Sequence, residues 1–143
     1  NLSDRDWLYG GSPENIKASI ENGRMGVMPA WGQVLGEEGV FNVAAYVQGL
    51  SGRAVNEDAA RAGKEKFVQN CVACHGADGK GNQIIGAPNL TDNIWLHGGT
   101  QHAIVRSIRN GLQGRMPPHG EFLGEAKVHL LTAYIYSLSM DKK

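Results

Sequence analysis

Apolar residues near the C-terminal end recur every three or four positions, as they do along one face of an α-helix. Val128, Leu131, Ile135 and Leu138 follow this spacing and predict a last helix over about residues 124–138. No segment alternates apolar and polar residues in the manner of a half-buried strand. The sequence therefore predicts an all-α fold.

A second helix is predicted upstream of the only two cysteines. Asn56 is a suitable N-cap, and the acidic residues that follow it suit the positive end of a helix dipole. Gly63 and Phe67 lie on its predicted core face, and the helix is expected to end near Asn70. Residues 76–99 are rich in Gly, Asn and Pro, which predicts a long loop.

Two shorter helices are predicted from matching caps and stops. Thr100 can cap a helix that Gly111 ends, and Ser12, followed by a proline, can cap a helix that Gly23 ends. The two segments have the same order of features. This similarity indicates an internal repeat.

An offset of 88 aligns residues 1–51 with residues 89–139 without a gap, and 24 of the 51 positions are identical. Chance similarity between two helical segments would not keep register through glycine, tryptophan and a Met-Pro pair. We interpret the chain as two copies of one domain. The identical positions include the pairs Trp7 and Trp95, Gly23 and Gly111, Met28 and Met116, and Tyr46 and Tyr134.

The second copy is preceded by a segment, 53–88, that has no counterpart before residue 1. We therefore predict a C-terminal part of a first domain at 1–51 and a complete domain at 52–143. On this interpretation the chain begins inside its first domain. Truncation, proteolysis and a chosen boundary are equally compatible with it.

Composition excludes several classes of protein. Fourteen basic residues balance fourteen acidic ones, so no nucleic acid partner is indicated. No apolar run approaches the length of a membrane span. With two cysteines there is no disulfide framework.

The candidate chemistry lies in Cys71-Val72-Ala73-Cys74-His75, the C-x-x-C-H pattern of covalent c-type haem attachment. Two intervening residues let both sulfurs reach the vinyl groups on one porphyrin edge, and the histidine then binds iron axially. A zinc site needs more ligands than this segment supplies. A thioredoxin-like redox pair needs a βαβ context, which the sequence does not predict.

Met116, in the segment Gly114–Pro118, is the predicted sixth ligand of the iron. A neutral, soft thioether favours Fe(II) and raises the reduction potential. The alternative interpretation of a methionine is core filling. Against it, Met-Pro recurs at Met28-Pro29, and prolines fix the backbone of the loop. The other candidate ligands are His97, His102, His119 and His129, of which His119 is the nearest rival.

Further groups are expected around the haem. A ligating histidine normally donates its other N–H to a fixed acceptor, and the carbonyl of Pro88 is the candidate. Trp95, Arg106 and Arg109 are candidates to reach the haem propionates. A solvated helix face is the equally weighted alternative for the two arginines.

These features resemble class I cytochromes c over about residues 56–139. The resemblance implies the class I fold, with helices wrapped around a covalent haem c and joined by long loops. It also implies that Gly63 and Phe67 contact Leu131 and Tyr134 on the last helix.

A closer resemblance is to the dihaem cytochrome c subunit of cbb3-type cytochrome c oxidases. It implies a periplasmic electron-transfer protein, not an enzyme on its own, that relays electrons from donor cytochromes c to the haem-copper oxidase subunit. The full-length protein would be anchored to the inner membrane, and one covalent haem is expected here because the sequence contains one C-x-x-C-H. The segments that carry the resemblance are residues 1–13, 72–76, 86–90 and 116–129.

Two other functions remain open from the sequence. One is a soluble dihaem shuttle, or the cytochrome subunit of another dehydrogenase. The other is a haem with an open coordination site, as in a peroxidase or gas sensor, and it requires that Met116 does not bind iron.

Overall fold

The computed structural model describes residues 1–140 as a mostly helical chain with one small sheet. None of the described helices is both long enough and apolar enough to cross a bilayer. In chain order the elements are α1 Pro13–Asn22, β1 Arg24–Met28, α2 Gly32–Leu50, α3 Glu57–Asn70, α4 Val72–His75, α5 Gln101–Asn110, β2 Leu112–Met116, α6 Gly120–Leu123 and α7 Glu125–Met140.

The capping residues predicted from the sequence begin three of these helices. The side chains of Ser12, Asn56 and Thr100 each accept a hydrogen bond from a backbone N–H in the first turn of α1, α3 and α5. The prediction of helices at these three places is confirmed, because the capping interaction is local and needs no tertiary partner.

The all-α prediction is confirmed only in part, because the described chain is mostly helical but β1 and β2 pair in a two-stranded sheet. Each strand is five residues long and contains a glycine, and β2 is largely exposed. β1 does not alternate apolar and polar residues, and β2 does so over only five positions with a glycine at its centre. The pairing of two segments distant in the sequence, more than a local pattern, therefore makes them strands.

Two compact units divide the described chain. The motif unit comprises residues 27–82 and 87–113, and the terminal unit comprises residues 1–26, 83–86 and the chain from residue 114 onward. Each unit takes segments from both repeat copies. The boundary at residue 51, which follows the repeat, stays a prediction.

The core of the motif unit forms where α2 packs against α3 and α5. Phe67 of α3 is only 1% exposed, and its ring lies 5.2 Å from that of Tyr46 on α2. A β-carbon on Gly63 would overlap the backbone oxygen of Asn42, so the two helices approach closely there. The buried residues of this core are Val40, Val43, Ala44, Val47, Phe67, Ile104 and Ile108.

The structure corrects the expected partners of α3. Gly63 and Phe67 were expected to contact Leu131 and Tyr134, but they contact α2 instead, through Asn42 and Tyr46. The tyrosines at 46 and 134 are repeat equivalents. Both last helices have the same apolar spacing, and that spacing alone did not decide which one packs on α3.

The core of the terminal unit is smaller. Ile16 and Ile20 of α1 are buried together with Val128 of α7. Trp7 and Ile135 are partly buried against them. In this unit α1 packs on α7 and on α6.

Candidate haem site

The two cysteines and His75 lie at the junction of α3 and α4. The Cys71 N–H donates to the Phe67 oxygen at 2.8 Å and ends α3, and the His75 N–H donates to the Cys71 oxygen at 2.9 Å across α4. This single helical turn presents three side chains from five consecutive residues. Both thiols are free, with Cys71 partly buried and Cys74 exposed.

The two thiols lie in different environments. Burial, and secondarily the neighbouring Cys74, raises the pKa of the Cys71 thiol to about 11. The Cys71 sulfur is therefore protonated at neutral pH.

His75 is held by the carbonyl that the sequence identified. Its Nδ1 atom lies 3.3 Å from the Pro88 oxygen. Burial lowers the pKa of the imidazole, and the hydrogen bond to Pro88 partly opposes this effect. When Nδ1 carries the proton, its N–H donates a hydrogen bond to the Pro88 oxygen, and Nε2 retains the lone pair that a metal ion needs.

The backbone around Pro88 is fixed by short-range hydrogen bonds. Asn82 and Ala87 exchange two backbone hydrogen bonds of 2.9 and 3.0 Å. The Gly81 N–H donates to the His75 oxygen at 2.8 Å. A β-carbon on Gly81 would overlap the Ala87 oxygen, so this turn requires glycine. The Pro88 carbonyl is thus positioned by the same segment that carries the imidazole.

Trp95 tests whether a haem suits these surroundings. Its indole Nε1 is buried and lacks a hydrogen-bond partner within the part of the chain that the structure describes. The guanidinium of Arg53 lies 5.5 Å from the indole ring centre and donates to the Gly99 oxygen. An unpaired buried donor beside a cation suits an anionic acceptor such as a haem propionate.

Of the two arginines suggested for the propionates, only Arg106 has its side chain on a cavity. Arg109 forms an ion pair with Glu37. Arg106 borders a cavity of about 500 Å³ in the motif unit. The lining residues are Leu96, His97, Arg106, Ser107, Asn110, Gly111 and Leu112.

Three apolar side chains of the motif unit, those of Val27, Ile94 and Leu96, each expose about half of their surface or more. The donor set and the orphaned indole both fit a haem.

The two Met-Pro pairs fall in different compact units. Met116, the predicted sixth ligand, is 38% exposed and belongs to the terminal unit. Met28 belongs to the motif unit and packs on its core, which Cys71 and Trp95 also border. No role for Met28 followed from the sequence, although the recurrence of the Met-Pro pair was a signal for one.

The sequence left open other iron ligands, namely four histidines, and the structure shows where each of these lies. Within residues 1–140 no three His, Cys, Asp or Glu side chains are gathered as a metal site. His97, His102 and His129 are exposed. His119 is partly buried and belongs to the terminal unit.

Comparison with known proteins identifies related sequences. The family model described as cytochrome c oxidase, cbb3-type, subunit III matches residues 1–47 and 58–135. The cbb3-type cytochrome c oxidase subunit CcoP of Rubrivivax gelatinosus is 49% identical over 140 residues, which covers 97% of this chain and 46% of that protein. The corresponding subunit FixP of Azorhizobium caulinodans is 44% identical over 147 residues, covering 96% of this chain and 50% of that protein. The chain thus spans about half the length of these relatives.

Proposed function

Since the chain belongs to the family of subunit III of cbb3-type cytochrome c oxidases, we propose that it carries one covalent haem c and transfers electrons within such an oxidase. Cys71 and Cys74 would attach the haem, and His75 would bind its iron. The observation that supports this most directly is the contact between His75 Nδ1 and the Pro88 oxygen at 3.3 Å. It leaves Nε2 of a neutral imidazole free for the metal.

Each residue of the site has a separate task in this proposal. The bound haem supplies an iron that accepts and releases one electron. Cys71 and Cys74 would hold the haem through two thioether bonds, each made from one thiol and one vinyl group with no atom lost. The Pro88 carbonyl holds the imidazole in one orientation, and a ligand that does not rotate keeps reorganisation small. Trp95 and Arg53 bind a propionate, which satisfies the buried indole N–H.

A thioether is the proposed sixth ligand, and Met116 is the residue that the resemblance to class I cytochromes c assigns. A neutral sulfur ligand stabilises Fe(II) and raises the reduction potential compared with two histidine ligands. With both ligands bound, the iron would have no open position, and this proposal therefore differs from a peroxidase or gas-sensing role, which needs one. The proposed fold around the haem is that of class I cytochromes c.

The proposed electron path runs from donor cytochromes c, through this haem, to the haem-copper subunit of the oxidase. Haem c is attached outside the cytoplasm, so the proposed location is the periplasm. The full-length protein is proposed to be anchored to the inner membrane. On its own the chain is proposed to be an electron carrier and not an enzyme.

Haem stoichiometry tests the proposal. The chain is expressed with periplasmic haem attachment, and its intact mass and pyridine haemochrome absorbance are measured. We expect one haem per chain, and no covalent haem in the double variant Cys71→Ala, Cys74→Ala. A colourless product with the mass of the bare polypeptide would refute the haem assignment.

Binding of carbon monoxide and co-purification separate the rival functions. We expect the reduced protein to bind carbon monoxide poorly and the full-length protein to co-purify with an oxidase core. Rapid binding of carbon monoxide would indicate an open iron site. Recovery of the full-length protein free of any oxidase would favour a soluble shuttle.

A further inference from the structure

Each Met-Pro segment packs on a helix of the other repeat copy. Met28-Pro29 lies against the end of α5, and Met116-Pro117 lies against the end of α1. In the motif unit the Trp31 N–H donates to the Ile108 oxygen at 2.9 Å. In the terminal unit the His119 N–H donates to the Ile20 oxygen at 2.9 Å. The repeat offset of 88 relates the donors to each other and the acceptors to each other. The exchange is therefore reciprocal.

The glycines that end α1 and α5 show the same reciprocity. A β-carbon on Gly111 would overlap the backbone around Met28, and a β-carbon on Gly23 would overlap the backbone around Met116. Both glycines have a positive φ, 70° and 69°. The Met-Pro segment of one copy therefore contacts the glycine that ends the helix of the other copy, at a position where a side chain would not fit.

The last helix of each copy packs in the same unit as the Met-Pro segment that precedes it in the chain. α2, from the first copy, packs on α3 and α5, which belong to the second. α7, from the second copy, packs on α1 of the first. The chain passes from one unit to the other within the strands, between residues 26 and 27 and between residues 113 and 114.

The non-identical positions favour α2 as the partner of α3. Along its buried face α2 has Gly39, Asn42 and Ala44, where α7 has Lys127, Leu130 and Thr132. At the crossing, Gly63 lies directly against the Asn42 backbone. Smaller side chains permit such a close approach between helices, and bulkier ones at the same positions would separate the helix axes.

We propose that the two repeat copies exchange their C-terminal segments, so that the sulfur of Met28, and not that of Met116, is the sixth ligand of the haem attached at Cys71 and Cys74. The proposal rests on the proposed haem attachment. Met28 lies in the compact unit that contains the attachment motif, it is partly buried, and it packs on the core that Cys71, Val72 and Trp95 border. Pro29 and the hydrogen bond from Trp31 hold its segment in place.

Matched substitutions at the two repeat-equivalent methionines test the ligand. The weak near-infrared absorption band of the sulfur–iron bond is recorded for the ferric holoprotein and for Met28→Ala and Met116→Ala. We expect the band to disappear in Met28→Ala and to remain in Met116→Ala, with a lower reduction potential in Met28→Ala only. Retention of the band in Met28→Ala, or its loss in Met116→Ala, would overturn the proposal.

Methionine oxidation tests the same assignment without a mutation. The holoprotein is treated with hydrogen peroxide and sulfoxide formation is mapped by peptide mass spectrometry, with exposed Met25 as the internal control. A sulfur bound to iron is shielded, so we expect Met28 to oxidise about tenfold more slowly than Met25, and Met116 to oxidise at a rate close to that of Met25. Protection of Met116 in place of Met28 would show that the copies do not exchange.

The haem count separates failure of this inference from failure of the proposed function. Wild type and both variants are first shown to carry one haem by intact mass. If wild type carries none, the haem assignment itself fails. If haem is present and Met116 is the protected residue, electron transfer stands and only the exchange is refuted.

Discussion

The motif unit and the terminal unit each contain the last helix of one repeat copy, and the two helices differ sharply in burial. Tyr46 of α2 is partly buried against Phe67, whereas the equivalent Tyr134 of α7 is 61% exposed. Asn42 is buried, whereas the equivalent Leu130 is 69% exposed. A more polar residue is thus the more buried one of that pair.

The comparison shows that burial here depends on the partner and not on the hydrophobicity of the residue. α2 packs on both α3 and α5, and most residues from Gly39 to Val47 are buried. α7 packs on α1 and α6 and leaves an apolar strip exposed.

The largest difference between the two units is expected when one phenylalanine in each, Phe67 or Phe122, is replaced by alanine. Phe67 is 1% exposed in the motif unit, and Phe122 is 85% exposed in the terminal unit. We expect Phe67→Ala to lower the free energy of unfolding of the holoprotein by about 3–5 kcal/mol, because it leaves a cavity in the core. Phe122→Ala is expected to change it by less than about 0.5 kcal/mol.

Denaturant unfolding of the two phenylalanine variants, followed by circular dichroism, measures both effects. Equal losses would show that Phe122 is also covered in solution. In that case the contrast between the units would be wrong.

The close crossing of α2 and α3 predicts an unusual response to alanine at Gly63. An added β-carbon would overlap the Asn42 oxygen, so we expect Gly63→Ala to destabilise the holoprotein by about 2–3 kcal/mol. Without that contact, alanine in a helix interior would stabilise by about 1 kcal/mol. The control is Gly114→Ala, since no other atom lies within 4 Å of the added carbon there.

Thermal unfolding of the two glycine variants distinguishes these cases. A stabilised Gly63→Ala protein would mean that α2 and α3 do not cross closely. The assignment of α2 as the partner of α3 would then lose its main geometric support.

The repeat-equivalent tyrosines give a direct test of the exchange. Tyr46→Ala removes a ring that lies 5.2 Å from Phe67, and we expect a loss of about 1–2 kcal/mol. Tyr134→Ala removes a mostly exposed ring, and we expect less than about 0.5 kcal/mol. Chemical unfolding followed by haem absorbance reports on the motif unit, and the opposite order of the two losses would place α7, and not α2, on α3.

The smallest effect is expected at the ion pair between Arg109 and Glu37. Both partners are on the surface of the motif unit, with the glutamate side chain strongly exposed. We expect Glu37→Gln to lower stability by about 0.5 kcal/mol or less, and the difference from wild type to vanish in high salt. A loss that persists at high salt would show that the pair is shielded from solvent.

Local features of the sequence predicted local features of the structure well. The α3 helix was expected from Asn56 to about Asn70, and it spans Glu57–Asn70. The last helix was expected over about 124–138, and it spans Glu125–Met140. Caps, glycine stops and helical spacing act over one or two turns, so they can be read without knowledge of the fold.

Features that join distant segments were predicted less well. β1 and β2 were missed because their pairing, and not their side-chain pattern, defines them. The hydrogen-bond partner of His75 was found because Pro88 is only thirteen residues away and carries a distinctive loop sequence. The assignment of Met116 as a ligand stays a prediction beside the proposal for Met28.

The sequence by itself determined the attachment motif, the helix ends and the existence of two similar copies, since each of these is written in short, contiguous patterns. Only the tertiary structure decided which last helix packs on α3 and which Met-Pro segment joins the unit of His75. The physical reason is that the two copies share the same helix spacing, glycine stops and Met-Pro pair, so these local patterns fit either partner. The choice between them then depends on a few long-range contacts, such as the close approach of Gly63 to Asn42.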